Sequence, residues 1–453
     1  MTQTKTMKTM SETLKAKIEA REAKIGIMGL GYVGLPLALL FSDQKFPVTG
    51  FDIDKKKVDT LNSGGTYIHR ITPEEIGAAR AQRFTATSDP SQIKEMDAII
   101  ICVPTPLNEY REPDLAYIRD TSEMIAPYLQ PGQLVILEST TYPGTTEEVM
   151  VPILEKSNKL GLKAAHAGSE ETEKTFYVAF SPEREDPGNT QVARHDIPKV
   201  IGGLNPTASE LAGALYNSIF RRIVPVSTPA AAEMTKLLEN IYRCVNIALV
   251  NELKLLCLRM NIDIFEVIAA ASTKPFGFHP FYPGPGLGGH CIPVDPFYLS
   301  WKAKEWDFQT RFIELAGEIN SSMPYHVVAS VGGALNKHKK AVNGSKVLVL
   351  GMAYKKDIDD LRESPSLTVI ELLQKEGAEV SYNDPYFPTV GRGRKYNLNM
   401  TSTPIEKVKD FDCVLIITDH SDYDYKKIVN ESKLVVDTRN ATKGIKSDRI
   451  VHC

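Results

Sequence analysis

The 453-residue chain predicts an α/β protein in which two parallel-sheet domains are joined by a helical domain with one long central helix. Three patterns carry that expectation. Apolar strand-like runs alternate with helical segments from Lys24 to about Pro225, and residues Ala230 to Met260 then run without a glycine or proline. From about Gly344 the opening pattern returns, with Lys346-Val347-Leu348-Val349-Leu350-Gly351-Met352-Ala353 echoing the first strand and its turn. Alternation of this kind means parallel strands with helical crossovers, so both sheet domains are expected to be Rossmann-like. The expected division is a polar N-terminal extension over 1–23, the first sheet domain over 24–225, the helical domain over 226–340 and the second sheet domain over 341–453.

Ala23 to Met28 reads as a buried strand that runs into Gly29-Leu30-Gly31-Tyr32-Val33-Gly34 and an apolar helix, Leu35 to Phe41. Gly29 makes the tight turn, Gly31 lets backbone approach a pyrophosphate, and Gly34 permits close packing of helix on strand. A second strand, Val48 to Phe51, ends on Asp52, where a ribose-binding acid is expected. A carboxylate accepts a 2′-hydroxyl and repels a 2′-phosphate, which favours NAD over NADP. Lys57, in the basic run from Lys55, is a further cofactor candidate, with a solvated helix start as its plain alternative.

Strands are expected at Ala98 to Val103, Leu134 to Leu137 and Tyr177 to Phe180. The loops leaving their C-terminal ends should surround the cofactor crevice. These are Val103-Pro104-Thr105-Pro106, Glu138-Ser139-Thr140-Thr141-Tyr142-Pro143-Gly144 and Ser181-Pro182-Glu183-Arg184. Pro104, Thr105, Ser139 and Thr140 are the cofactor candidates among them, and ordinary turns would look alike. On the long helix, Lys236 and Asn240 lie one turn apart on a face continued by Ile247 and Asn251. A lone lysine there is ordinarily solvated, but beneath a reactive loop it would stabilise an oxyanion.

Such a loop is Pro283-Gly284-Pro285-Gly286-Leu287-Gly288-Gly289-His290-Cys291-Ile292-Pro293-Val294-Asp295-Pro296. Its glycines permit unusual backbone angles and its prolines stiffen the flanks. Cys291 is therefore a candidate nucleophile, with Asp295 as a polar partner, against the plain reading of a buried cysteine in a turn. In the tail, Tyr382-Asn383-Asp384 echoes Phe51-Asp52 and Asp412 to Thr418 echoes Asp97 to Val103. The full glycine fingerprint is missing there, and Lys355, Lys356, Asp357 and Arg362 follow the strand instead, so a different phosphate group is expected. Pro388 to Met400, with Arg392, Arg394 and Lys395, is expected to be a mobile basic surface loop.

Bulk properties narrow the class. A net charge of −3 with 24% charged residues argues against a general nucleic-acid binder. The six cysteines, at 102, 244, 257, 291, 413 and 453, show no Cys-x-x-Cys pair or zinc spacing, so no metal is expected and a reducing, cytoplasmic setting is. Cys102 and Cys413 fall in strand-like runs, Cys244 and Cys257 in a helix, and Cys453 at a terminus expected to fray. No apolar run reaches about 20 residues, so no membrane span is expected.

Jointly, Gly-Leu-Gly-Tyr-Val-Gly-Leu-Pro at 29–36, Glu-Ser-Thr at 138–140, Ser-Pro-Glu-Arg at 181–184, the Lys236/Asn240 helix, Gly-Gly-His-Cys at 288–291 and Lys-Lys-Asp-x-x-Asp-x-Arg-Glu-Ser from 355 resemble the nucleotide-sugar 6-dehydrogenases. The resemblance covers nearly the whole chain from Lys24. It implies NAD as cofactor and two successive oxidations at C6 of a UDP-sugar, for surface polysaccharide precursors. Cys291 would capture the aldehyde as a thiohemiacetal that becomes a thioester, and water would release the acid. Glu183 would manage protons in that hydrolysis, Lys236 and Asn240 would steady oxygen charge, Asp295 would help deprotonate the alcohol and Thr140 would order water. Tyr32 and Val33 would join the glycines at the cofactor, and Arg362 would lie on its side of the cleft. Arg184, Gly288, Lys355 and Arg439 would contact the substrate. A homodimer packed through the long helix is implied as well.

UDP-glucose dehydrogenases usually carry a lysine where Val294 stands and a second acid where Pro187 stands, so the chain looks like the N-acetylhexosamine branch. Tyr67-Ile68-His69, Arg111-Glu112-Pro113-Asp114 and Lys274-Pro275-Phe276-Gly277-Phe278 lean towards UDP-N-acetylglucosamine, with UDP-glucose and UDP-N-acetylmannosamine as alternatives. A two-electron β-hydroxyacid dehydrogenase resembles neither the cysteine loop nor the third domain, and an NAD-binding regulatory protein would have no use for Cys291, Lys236 and Glu183.

Overall fold

A computed structural model describes residues 8–68, 70–108, 110–185, 192–289, 292–393 and 396–453. They form two compact units, Met1–Glu239 and Asn240–Cys453. The sheet of the first unit is built from β1 (Ile25–Met28), β2 (Val48–Phe51), β3 (Phe84–Thr87), β4 (Ala98–Ile101), β5 (Leu134–Leu137), β6 (Lys163–Ala164), β7 (Thr175–Phe180), β8 (Lys199–Gly203) and β9 (Ile223–Val226). Its order is β3-β2-β1-β4-β5-β7-β8-β9, with β6 beside β7. Helices cover both faces of such a sheet, so β1, β4 and β5 are buried at every residue and read as continuous apolar runs.

Two features depart from the sequence expectation. The sheet is not wholly parallel, because β8 runs antiparallel to β7. A parallel return needs a crossover of a dozen or more residues, usually helical, and the described part of the β7–β8 connection contributes a single 3₁₀ turn at Arg194–Asp196. The N-terminal segment is also more than a polar extension. Met10–Glu19 is a helix opened by a Thr9/Glu12 capping box, and the carboxylate of Glu171 accepts the Met10 amide at 2.7 Å. Leu14 and Ile18, four residues apart, are buried in the same core as Leu211 and Leu215.

The long helix, Pro229–Met260, spans 32 residues, about 48 Å at 1.5 Å per residue. In the second unit it is followed by helices Ile264–Ala271, Asp295–Ala303 and Arg311–Lys337. The second sheet comprises β10 (Lys346–Leu350), β11 (Glu379–Asn383), β14 (Cys413–Ile416), β15 (Val435–Asp437) and β16 (Ile450–His452), all parallel, in the order β11-β10-β14-β15-β16. Val327, Val331 and Leu335 of the Arg311–Lys337 helix share a core with Val347, Val349 and Leu415. Cys453 does not fray: its amide bonds to the Asp437 carbonyl at 3.0 Å and its side chain is buried beyond β16. Nor is 388–400 an unstructured loop. It holds an antiparallel hairpin of β12 (Thr389–Arg392) and β13 (Asn397–Thr401), anchored by buried Val390; Arg394 and Lys395 lie outside the described residues.

Because Ile18 is fully buried, Ile18→Ala should destabilise the protein by about 2–5 kcal/mol, lowering the midpoint of thermal unfolding. An unchanged midpoint would show that the N-terminal helix contributes nothing to the core.

Candidate active site

The turn after β1 is shaped by contacts that exclude side chains. Gly29 has φ +92°, and a Cβ on Gly34 would meet the Gly29 carbonyl oxygen at 1.9 Å, so the helix Gly34–Asp43 can start only with a glycine there. A Cβ on Gly31 would meet nothing within 4 Å, which leaves backbone open to an incoming group. No side chain caps the first turn of that helix, and such a terminus favours an anion. Asp52 Oδ2 accepts the Leu30 amide at 3.0 Å and Oδ1 the Asp54 amide at 2.9 Å, so the carboxylate is locked onto the turn. Lys57 lies 3.4 Å from Asp52 and the Tyr67 hydroxyl donates to the Leu30 carbonyl at 2.6 Å. Burial pushes the Tyr67 phenol well above its usual range, which keeps it a donor. The open approach at Gly31, the uncapped helix and the locked acid fit a dinucleotide. Beside them, Pro104 is exposed, Thr105 is buried, and Ser139 Oγ donates to the Val103 carbonyl at 2.8 Å, pinning the β5 loop to the β4 loop.

Lys236 is not a solvated lysine. It is 6% exposed, and its ammonium donates to the backbone carbonyl of Glu183 at 2.6 Å. Oε1 of Glu183 accepts the Arg184 and Glu185 amides, each at 2.8 Å, which curls the carboxylate over its own loop. Arg184 is engaged on three sides, by both carboxylate oxygens of Glu239 and by the Pro198 carbonyl at 2.7 Å. One turn before Lys236, buried Glu233 accepts the Gly144 amide at 2.6 Å, the Thr146 amide at 2.9 Å and the Thr146 hydroxyl at 2.6 Å. It thereby holds the loop that follows half-buried Thr140. Burial raises its carboxyl to about 7 against the opposing pull of those donors.

In the second unit, buried Asn240 donates to Asp295 Oδ2 at 2.5 Å, at the start of the helix Asp295–Ala303. Asn251 accepts the Gly284 amide at 2.9 Å, and the Gly289 amide bonds to the Arg362 carbonyl at 2.8 Å. A Cβ on Gly288 would sit 2.4 Å from Tyr354 Cβ, and one on Gly284 would sit 2.5 Å from a guanidinium nitrogen of Arg439. Arg439 itself donates to the Ile417 carbonyl at 2.9 Å. The side chain of Arg362 is held by Asp360, and Lys355 is half-buried. His290, Cys291, His69 and Pro187 lie outside the described residues.

The acid that echoes Asp52 is differently employed. Asp384 Oδ2 accepts the Met352 and Ala353 amides at 2.6 and 3.1 Å, but it also meets Nε2 of fully buried His420 at 3.1 Å. The Asp357 amide donates to Nδ1 of that ring at 3.0 Å, so the proton resides on Nε2 and points at Asp384. The second acid therefore has a buried imidazole as its partner.

Three family models match the chain. The NAD binding domain of the UDP-glucose/GDP-mannose dehydrogenase family matches residues 23–220, its central domain 230–322 and its UDP binding domain 348–444. The chain belongs to the UDP-glucose/GDP-mannose dehydrogenase family. It is an NAD-dependent nucleotide-sugar dehydrogenase. It is 36% identical to a UDP-N-acetyl-D-glucosamine 6-dehydrogenase of Salmonella typhi, over 89% of this chain and 91% of that one. The corresponding figures for the enzyme of that name from Pseudomonas aeruginosa are 34%, 91% and 94%. A solved UDP-D-ManNAc dehydrogenase from Pyrococcus horikoshii superposes with a TM-score of 0.84 at 32% identity, covering 95% of this chain and 98% of that one. Lys236, Asn240 and the cysteine loop fall within the family's central domain, and Lys355, Arg362 and Arg439 within its UDP binding domain. Among the described residues no helix is long and apolar enough to cross a membrane, and no cluster of metal-ligating side chains occurs.

Sequence reasoning passed over Glu233 and Lys199 and gave Glu138 no role beyond membership of its loop and motif. The available signal was a charge inside an otherwise apolar element: Lys199 opens the buried strand β8, and Glu138 directly follows β5.

Between its ordinary range near 4.5 and its raised value near 7, Glu233 holds a proton in the folded protein that the unfolded chain releases. Its contribution to stability therefore falls as pH rises through that window. In Glu233→Gln the fall of the unfolding midpoint between about pH 5 and pH 7.5 should flatten, and identical slopes in both proteins would rule the assignment out.

Proposed function

We propose that this enzyme oxidises the C6 primary alcohol of UDP-N-acetylglucosamine to the uronic acid through thiohemiacetal and thioester intermediates on Cys291. The observation that carries the reading is the tethering of the cysteine loop. Asn251 on Gly284, Arg362 on Gly289 and Asn240 on Asp295 hold the chain on both sides of residues 290 and 291, as presentation of a nucleophile requires. NAD, which the turn at Gly29, Gly31 and Gly34 with Asp52 would hold, would supply the hydride acceptor for each oxidation. Asp295 assists removal of the alcohol proton, and the Cys291 sulfur attacks the aldehyde carbon. Lys236 and Asn240 donate towards the oxygen that carries charge, Thr140 orders water, and Glu183 takes a proton from water as the thioester is cleaved. Lys355 and Arg439 hold the UDP group.

The acetamido sugar is supported by Val294 in place of a lysine and by the names of the Salmonella typhi and Pseudomonas aeruginosa relatives. The Pyrococcus horikoshii structure favours UDP-N-acetylmannosamine as a second reading. With limiting UDP-N-acetylglucosamine, an end-point assay should yield about two NADH per sugar together with uronic acid. One NADH with aldehyde as the normal product would refute the mechanism. Higher kcat/KM for UDP-glucose would refute the acetamido preference, because a site built around an amide loses most when that group is missing; preference for the manno epimer would move only the sugar.

We also propose a homodimer. Tyr242, Leu249, Leu253, Leu256 and Met260 recur at three-, four- and seven-residue spacing on the long helix and are 39 to 58% exposed. A stripe of that size calls for a covering surface, and a second copy of the chain supplies one. Light scattering should give twice the 50.2 kDa chain mass. A monomer, or a dimer that persists in Leu253→Glu/Leu256→Glu, would exclude this interface.

A further inference from the structure

We infer that Lys199 is a positioning residue for thioester hydrolysis: its buried ammonium orients the Glu183 carboxylate, so that losing it slows release of the acid while sparing both oxidations. Glu183 enters in the role proposed above, on which this assignment rests. The sheet topology puts Lys199 in place. Because β8 runs antiparallel to β7, with Ala179 paired to Gly203 and Phe180 to Gly202, its first residue emerges at the edge where β5 and β7 end. Continuing that register brings Lys199 level with Glu183, and a bond from Ser181 Oγ to the Val200 carbonyl at 2.8 Å follows it.

Two carboxylates share this one ammonium. Lys199 is 3% exposed, and its Nζ lies 2.7 Å from Glu138 Oε1 and 3.7 Å from Glu183 Oε2. The same Glu138 oxygen accepts the Tyr216 hydroxyl at 2.5 Å, and its Oε2 is met more loosely by the Cys102 thiol at 3.9 Å. The rings of Tyr216 and Phe220 pack around the ammonium at 5.0 and 5.4 Å. The cation is therefore paired closely with Glu138 and reaches Glu183 as a longer second contact. Purely structural needs would be met by a neutral Lys–Glu pair, or by apolar residues of the same volume. The second acid is the one on the site loop. Its Oε1 is held by two backbone amides, and its Oε2 faces the Lys199 ammonium across a longer ion-pair contact that orients it electrostatically. A proton acceptor is oriented in this way.

In hydrolysis, water adds its oxygen to the thioester carbon while its proton passes to Glu183. The carbon–sulfur bond then breaks, its electron pair going to the Cys291 sulfur. Misorienting the acceptor should slow this step on the order of ten- to a hundredfold. The test is Lys199→Met/Glu138→Gln, which removes both charges of the buried pair so that neither is orphaned. With UDP-N-acetylglucosamine and NAD, the folded double variant should give a burst of two NADH per subunit and then a slow steady rate. Its kcat/KM should be unchanged, KM falling together with kcat, and mass spectrometry should find a sugar-sized adduct. Lys199→Arg, which keeps the cation, should clear the adduct faster. A steady rate within about twofold of the parent, a burst lost in proportion to the steady rate, or equal adduct in Lys199→Arg would each overturn the role of Lys199. Glu183→Gln separates the layers: no adduct there overturns the Glu183 reading itself, whereas adduct there but none in the double variant overturns Lys199 alone.

Discussion

A polar group buried in a helix is tolerated only when something hydrogen-bonds to it, and the helix Pro229–Met260 carries a row of them. Glu233, Lys236, Asn240, Asn251 and Lys254 are each under a tenth exposed. Each is paired with a different loop: Glu233 with 144–146, Lys236 with the Glu183 carbonyl, Asn240 with Asp295, Asn251 with Gly284, and Lys254 with the Thr438 carbonyl at 3.4 Å. The buried face mixes these groups with apolar Leu237 and Ala248, while the apolar residues Leu249, Leu253 and Leu256 face outward. The loops that bear the chemistry have little regular structure of their own, so their geometry depends on these bonds. A glycine or proline anywhere in the row would break the spacing that supplies them.

The two parallel sheets show how one architecture is put to two uses. In both, an acid at the end of the second strand accepts the amides of the first turn, as Asp52 does from Leu30 and Asp384 from Met352 and Ala353. At the first, an open glycine and an uncapped helix leave room for a cofactor. At the second, the acid is paired with His420, whose tautomer is fixed by the Asp357 amide. Lys355 and Arg439, the cations proposed above for the UDP group, lie in this part of the chain, and their charge suits phosphate.

Much of this was legible in the residues. The glycine spacing of 29–34 with Asp52, the glycine- and proline-free run after Thr228 and the repeat from Lys346 predict the fold, because turn geometry and helix propensity are local properties. Other features depended on partners distant in sequence. The helix Met10–Glu19 is mostly polar, and only the packing of Leu14 and Ile18 against Leu211 and Leu215 explains its place. The strand Ile450–His452 exists because β15 offers an edge to pair with. The direction of β8 was equally hidden, since an apolar run is the same read either way.

What the sequence by itself determined is the set of chemical groups: a dinucleotide turn with Gly34 at the start of its helix, a cysteine in a glycine-rich loop, and a lysine and an amide one turn apart on the long helix. Tertiary structure alone decided which charges are free and which are spent. Arg184 is committed to Glu239, Asp384 to His420, and Lys199 to two acids at once. The reason is physical. Local spacing sets which side chains share a turn of helix or an end of strand, but the pairing of a buried charge depends on what the folded chain brings within a few ångströms, and that is settled only when the sheet has formed.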